Sequence, residues 1–160
     1  MWMVFGACGY KFPTGVSFPK GVEHIYIMIF ENPTSETGIE NLVTAQFINE
    51  FTRRRPNALV SRNADADAIL TGVVSSIRIW TIARRGVDIP DERRVSLTVN
   101  LTLTSTDGKL LWRAAGLSSS EAYSVDQTNA LITQRNKQDA ISALSQKLAE
   151  ITYDRLTEGF

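Results

Sequence analysis

A single cysteine and a single histidine are the only thiol and imidazole among 160 residues. Cys8 alone cannot form an internal disulfide framework or a multi-cysteine metal centre, and His24 alone cannot build a zinc site of the His-Glu-x-x-His type. Net charge is lacking as well: 17 Lys and Arg balance 17 Asp and Glu, so no long-range field favours nucleic acid or an acidic membrane surface. Any recognition by charge has to be local. No apolar run approaches the roughly 20 residues of a membrane-spanning helix. The chain also lacks a Gly-x-Ser-x-Gly elbow, a P-loop, a paired-glycine nucleotide fingerprint and a cysteine–histidine pair. No catalytic residue, metal ligand or cofactor is therefore assigned, and the reading is of a non-enzymatic protein. The length suits one domain that can bury a core without staples.

What the chain does have is a long alternation. Val95, Leu97, Val99, Leu101 and Leu103 fall on every second position with Ser, Thr and Asn between them, which is what a strand with one buried face requires. Asp107-Gly108 supplies the positive φ of a tight turn, and Leu111 to Leu117 returns as the partner strand. The other face of this hairpin is hydroxyl- and amide-rich rather than charged, which suits partial wetting or contact with another surface.

Upstream, His24–Phe30 reads as a strand with Ile25, Ile27 and Ile29 on one face, and His24 as an edge side chain at its beginning. Thr37 and Glu40 have capping-box spacing, and Ile39, Leu42, Val43, Phe47 and Phe51 then recur at helical intervals to about Arg54. Arg53-Arg54-Arg55 is read as cations offsetting the helix dipole before Pro56 rather than as a phosphate patch. Ala58–Ser61 reads as a short strand, and Asp65 and Asp67 as solvated turn carboxylates, since the rest of a calcium loop is missing. Ala68–Thr81 is the next strand, with Ile69, Val73, Ile77 and Ile79 interleaved with small and polar residues; Gly72 marks a bulge or a close backbone approach. Ile82–Glu92 concentrates Arg84 and Arg85 beside apolar side chains. A last helix begins between Asn129 and Asn136 and runs to about Leu156, with Ile141, Leu144, Leu148 and Ile151 as its stripe.

Residues 1–7 form an apolar segment ending in Gly6-Ala7 before Cys8, like the end of a bacterial lipoprotein signal, although it has no basic start and is short for a secretory segment. A frayed end with an ordinary thiol is the other reading. Residues 8–160 form a single domain. The expected fold is α+β: a two-layer sandwich of a mostly antiparallel sheet of about four to five strands with two helices on one face. A helical connection of this length allows the first two strands to run parallel.

Cys8-Gly9-Tyr10, Pro19-Lys20-Gly21-Val22, Ile29-Phe30-Glu31-Asn32, Ala66–Gly72, Leu97–Leu103 and Asp107–Trp112 occur in the order seen in the lipopolysaccharide-assembly lipoproteins, and the chain resembles that LptE family from Cys8 to Leu156. The resemblance implies a Gram-negative outer-membrane lipoprotein on the periplasmic side, acylated (palmitate) at Cys8 and held to the membrane by its lipid anchor only. It also implies a plug and assembly partner of the LptD-like β-barrel that delivers lipopolysaccharide to the outer leaflet, with lipopolysaccharide itself as ligand. The family's basic lipopolysaccharide contacts match Arg84, with Arg85 beside it. The second position falls on Gln134, flanked by Arg135 and Lys137. Arg guanidinium suits a lipid phosphate, and its stem lies along apolar surface. The alternative function is another periplasmic scaffold or binding lipoprotein of the envelope.

Overall fold

Alternation over Asp91–Ser105 makes that segment, β3, the spine of the sheet. The computed structural model describes residues 18, 19, 21–82 and 91–158; Cys8, and the connection carrying Arg84 and Arg85, lie outside them. Val95, Leu97, Val99, Leu101 and Leu103 are fully buried, each contributing about 1.5–3 kcal/mol of transfer free energy. On either side of β3 run β2 (Ala68–Thr81) and β4 (Leu110–Val125), both antiparallel to it. Gly108, with φ of 87°, makes the turn between β3 and β4. Ile25–Ile27, β1, pairs parallel with β2, so the sheet is mixed and ordered β1-β2-β3-β4.

The parallel pair needs a crossover, and α1 (Ile39–Arg54) supplies it. After β4 the chain returns as α2 (Ala130–Glu158). Val43, Phe47 and Phe51 of α1 and Leu144, Leu148 and Leu156 of α2 join the buried strand residues in one core. This is the α+β sandwich expected from the alternation and the two helical stripes. The opposite face carries Ser96, Thr98, Asn100, Thr102 and Thr104, all half-buried, and no helix of the described residues packs on it.

Several local expectations are corrected. Regular strand pairing ends at Ile27, and Ile29 is 62% exposed while Phe30 turns inward. The reason lies in β2: a Cβ at Gly72 would fall 2.5 Å from the Phe30 ring, so of the two expected readings the glycine marks a close approach to the backbone, by that ring, and not the bulge. The inward residues of β2 are Ala68, Leu70, Gly72 and Val74, not the Ile69–Val73 phase, and the irregularity falls between Val74 and Ser76. Thr37 caps nothing: Gly38 is the N-cap, and the Glu40 carboxylate accepts from Asn32 Nδ2 at 2.8 Å. Ala58–Ser61 is not a strand; Pro56–Ala58 is a 3-10 turn, and Leu59 makes one parallel bridge to Ile25. Leu42 and Ile151 are only half-buried.

Two charged groups hold the scaffold. The Glu50 side chain is 1% exposed and is held by Arg53 at 2.5 Å and Arg54 at 2.7 Å, and the same arginines reach Glu150 and Asp154 of α2. The arginine triplet thus does more than face a dipole. Burial pushes the Glu50 carboxyl up, but the two guanidinium hydrogen bonds outweigh it and the net shift is downward. Asp67 Oδ2 accepts the N–H groups of Glu23 and His24, at 3.0 and 2.8 Å, and lies 3.3 Å from His24 Nδ1. His24 therefore has a carboxylate neighbour from 43 residues away, which sequence spacing does not disclose, and Asp67 is a backbone anchor rather than merely a solvated turn residue.

Candidate functional site

Strand registry decides which charged residues meet. At the far end of β2, Trp80 stands opposite Arg94 and Thr81 opposite Arg93, while Asp91 pairs with Val125 of β4. The connection with Arg84 and Arg85 therefore springs from the same end of the sheet as the turn into α2. That turn is built by short polar side chains. Asp126 Oδ1 accepts from the Thr128 and Asn129 N–H groups, at 2.8 and 2.9 Å, and from the Thr128 hydroxyl at 2.7 Å. These bonds hold its carboxyl below the usual range, the Thr128 hydroxyl first among them. Asn129 Oδ1 accepts the Leu131 N–H at 3.0 Å and caps α2. Asn136 Nδ2 donates to the Ser124 carbonyl at 2.9 Å, binding the second turn of α2 to the end of β4.

Of the expected ligand residues, Arg84 and Arg85 lie outside the described residues. Arg135 is exposed on α2. Lys137 is engaged: its Nζ donates to Glu36 Oε2 at 2.7 Å, with the two side chains 15% and 35% exposed. Beside this ion pair runs a groove of about 320 Å³ lined by Glu36–Gly38, Ile39 and Leu42 on one side and Gln134, Lys137, Gln138 and Ile141 on the other. The structure thus places Lys137 and Gln134 on one wall and turns Arg135 away.

Sequence reasoning passed over three cations at this end. Arg78, Arg93 and Arg94 are exposed, and among the described residues none forms an ion pair. Trp80, 44% exposed, shares the outer face with Arg78 and Arg94, while Ile79, 38% exposed, and Arg93 alternate onto the helix-bearing face; Leu131 at the start of α2 is 81% exposed. The signal existed: Arg93-Arg94 opens the alternating stretch, and strand pairing puts Arg94 across from Trp80. Guanidinium groups beside an indole and aliphatic side chains can bind a phosphate and shield its apolar attachment together. The described residues contain no cluster of three metal-ligating side chains, and none of their helices is long and apolar enough to cross a membrane.

The fold has solved counterparts. Uncharacterized lipoprotein B from Nitrosomonas europaea superposes with a TM-score of 0.56 at 12% identity, covering 94% of this chain and 92% of that one. A protein assigned as a lipoprotein from Caulobacter crescentus CB15 gives 0.54 at 14% identity, over 81% of this chain and 89% of its own. At these identities the likeness concerns the fold. No curated protein matches the chain in sequence. The family model for LptE, lipopolysaccharide-assembly, matches residues 22–156, from the segment before β1 to the last turn of α2. The chain belongs to the LptE family of lipopolysaccharide-assembly lipoproteins.

Proposed function

We propose that this protein is anchored in the outer membrane by acylation of Cys8, sits within the translocon β-barrel and binds lipopolysaccharide as it is delivered to the outer leaflet. The observation that carries the ligand half is one pole of the sheet: Arg78 and Arg94, which form no ion pair among the described residues, share a face with exposed Trp80, at the end where the chain leaves β2 at Ile82 and enters β3 at Asp91. Lipid A joins phosphates to acyl chains, and this surface offers guanidinium and apolar groups together. The barrel half is supported by the helix-free face of Ser96, Thr98, Asn100, Thr102 and Thr104. A porin-like lumen is polar, and hydroxyls that bond across strands, such as Thr98 to Ser118 at 3.3 Å, suit contact with such a wall.

The test is extraction of the native envelope in detergent with a tag on the C-terminus, followed by identification of what co-purifies. A stoichiometric β-barrel is expected; recovery with unrelated envelope partners would refute the plug and favour a scaffold lipoprotein. Mass spectrometry of the membrane-fraction protein should find Cys8 acylated, and an unmodified thiol would remove the anchor.

A further inference from the structure

Lys137 and Glu36 are 101 residues apart in sequence, yet their charged atoms lie 2.7 Å apart across the groove between α2 and the turn before α1. Among the described residues, Lys137 is the one cation lining that groove and Glu36 its one carboxylate; the other polar groups on its walls, such as Gln134 and Gln138, are neutral. The floor is apolar, with Ile39, Leu42 and Ile141. The volume of about 320 Å³ suits a phosphorylated sugar with a short stretch of acyl chain rather than a whole glycolipid.

The turn that carries Glu36 does not need the ion pair to keep its place. Asn32 Nδ2 donates to the Glu36 carbonyl at 2.7 Å and to the Glu40 carboxylate at 2.8 Å, and Asn32 Oδ1 accepts the Thr34 N–H at 3.0 Å. The Glu36 side chain is therefore free to let go while its backbone stays. A carboxylate on the only ammonium of the groove occupies the position an incoming phosphate needs, and it repels that phosphate once displaced.

We infer that Glu36 is a gating residue of this groove: it holds Lys137 in reserve, and a phosphate-bearing amphiphile binds there by exchanging its phosphate for the Glu36 carboxylate. The inference rests on the reading that Lys137 belongs to the lipopolysaccharide site. The exchange is ionic; no covalent bond changes. Glu36 thereby sets selectivity, because a ligand without the phosphate cannot release Lys137 and meets a groove whose charges are already satisfied.

The full chain is tested against two probes, purified lipopolysaccharide in detergent and the same material enzymatically dephosphorylated. Glu36→Gln should bind the phosphorylated probe about three- to tenfold more tightly than wild type, with no gain on the dephosphorylated probe and none when combined with Lys137→Gln. An unchanged Glu36→Gln affinity, or a gain that survives loss of Lys137, overturns the gate. Wild type that binds neither probe defeats the lipopolysaccharide reading itself, and the gate with it. Binding that is lost on charge reversal of Arg78 and Arg94 but indifferent to both Glu36 and Lys137 keeps lipopolysaccharide as the ligand, takes Lys137 out of its site and removes the gate. Should Glu36→Gln fold poorly, carbon-13 labelling of lysine side chains in wild type gives the second readout. The ε-carbon signal assigned to Lys137 should move on adding the phosphorylated probe alone, and a static signal under saturating probe refutes the exchange.

Discussion

Gly72 lies in the middle of β2, inward-facing and opposite Leu101 of β3. A methyl group there would sit 2.5, 2.6 and 2.7 Å from three carbons of the Phe30 ring. Carbon atoms in contact prefer about 3.5–4.0 Å, so the ring would have to retreat by about 1 Å. It has little room to do so: Phe30 is 2% exposed and packs on Phe47 with centroids 4.8 Å apart. Overpacking of this kind costs about 1–3 kcal/mol, against about 0.5–1 kcal/mol regained by replacing a strand glycine with alanine. Gly72→Ala should therefore lose about 1–2 kcal/mol net, or roughly 2–8 °C in melting temperature for a chain of this size. Urea unfolding followed by circular dichroism measures the loss. The decisive comparison is the Phe30→Ala background, which alone should cost about 3–5 kcal/mol. There the added methyl enters the vacated space and becomes neutral or stabilising. An equal cost in both backgrounds would refute the berth for Phe30, as would a neutral Gly72→Ala in wild type.

Removing both Arg53 and Arg54 leaves the Glu50 carboxylate buried without a partner, so the double alanine variant should lose about 3–5 kcal/mol in urea unfolding; Glu50→Gln, which leaves the arginines their exposed partners Glu150 and Asp154, should lose less, and the reverse order would contradict the assignment. The carboxyls of Asp67 and Glu50 are both shifted down, Asp67 chiefly by the His24 and Glu23 N–H groups. Because their folded values lie below the unfolded ones, their contribution is complete above about pH 4.5 and is lost as pH falls through the folded values. The urea midpoint should hold from pH 7 to 5 and drop below 4, with a shallower drop in Asp67→Asn; an undiminished drop in that variant would remove Asp67 from the account. Replacing Arg84 and Arg85 by Glu should weaken lipopolysaccharide binding without moving the melting temperature, and unchanged affinity in the folded variant excludes them. Arg94→Glu, opposite Trp80 on the same pole, should weaken binding as well, with titration of the immobilised protein as the measurement.

Legibility in the sequence followed the range of the interaction. The alternation of Val95 to Leu103 and the Asp107-Gly108 turn are local properties, and both appear where the residues put them. The stripes of α1 and α2 are similarly local, since a helix carries its own period. The β2 phase was not readable, because Ile69 and Val73 are as apolar as Leu70 and Val74, and only the ring of Phe30 over Gly72 selects between them. The capping of α1 was misread for a related reason: Thr37 and Glu40 have the right spacing, but Asn32 reaches the Glu40 carboxylate first. At the candidate site, the basic residues themselves were visible in sequence. Which of them find an acid among the described residues was not, since Lys137 meets Glu36 from 101 residues away while Arg94 stands in register with Trp80.

By itself the sequence determined a long alternating hairpin, two amphipathic helices and membership of a lipopolysaccharide-assembly family. Periodicity and motif order suffice for these, because each is written along the chain. The tertiary structure decided the parallel pairing of β1, the burial of Glu50 between two arginines, and the meeting of Lys137 with Glu36. Those depend on distances between residues far apart in sequence, and such distances exist only once the helices have packed on the sheet.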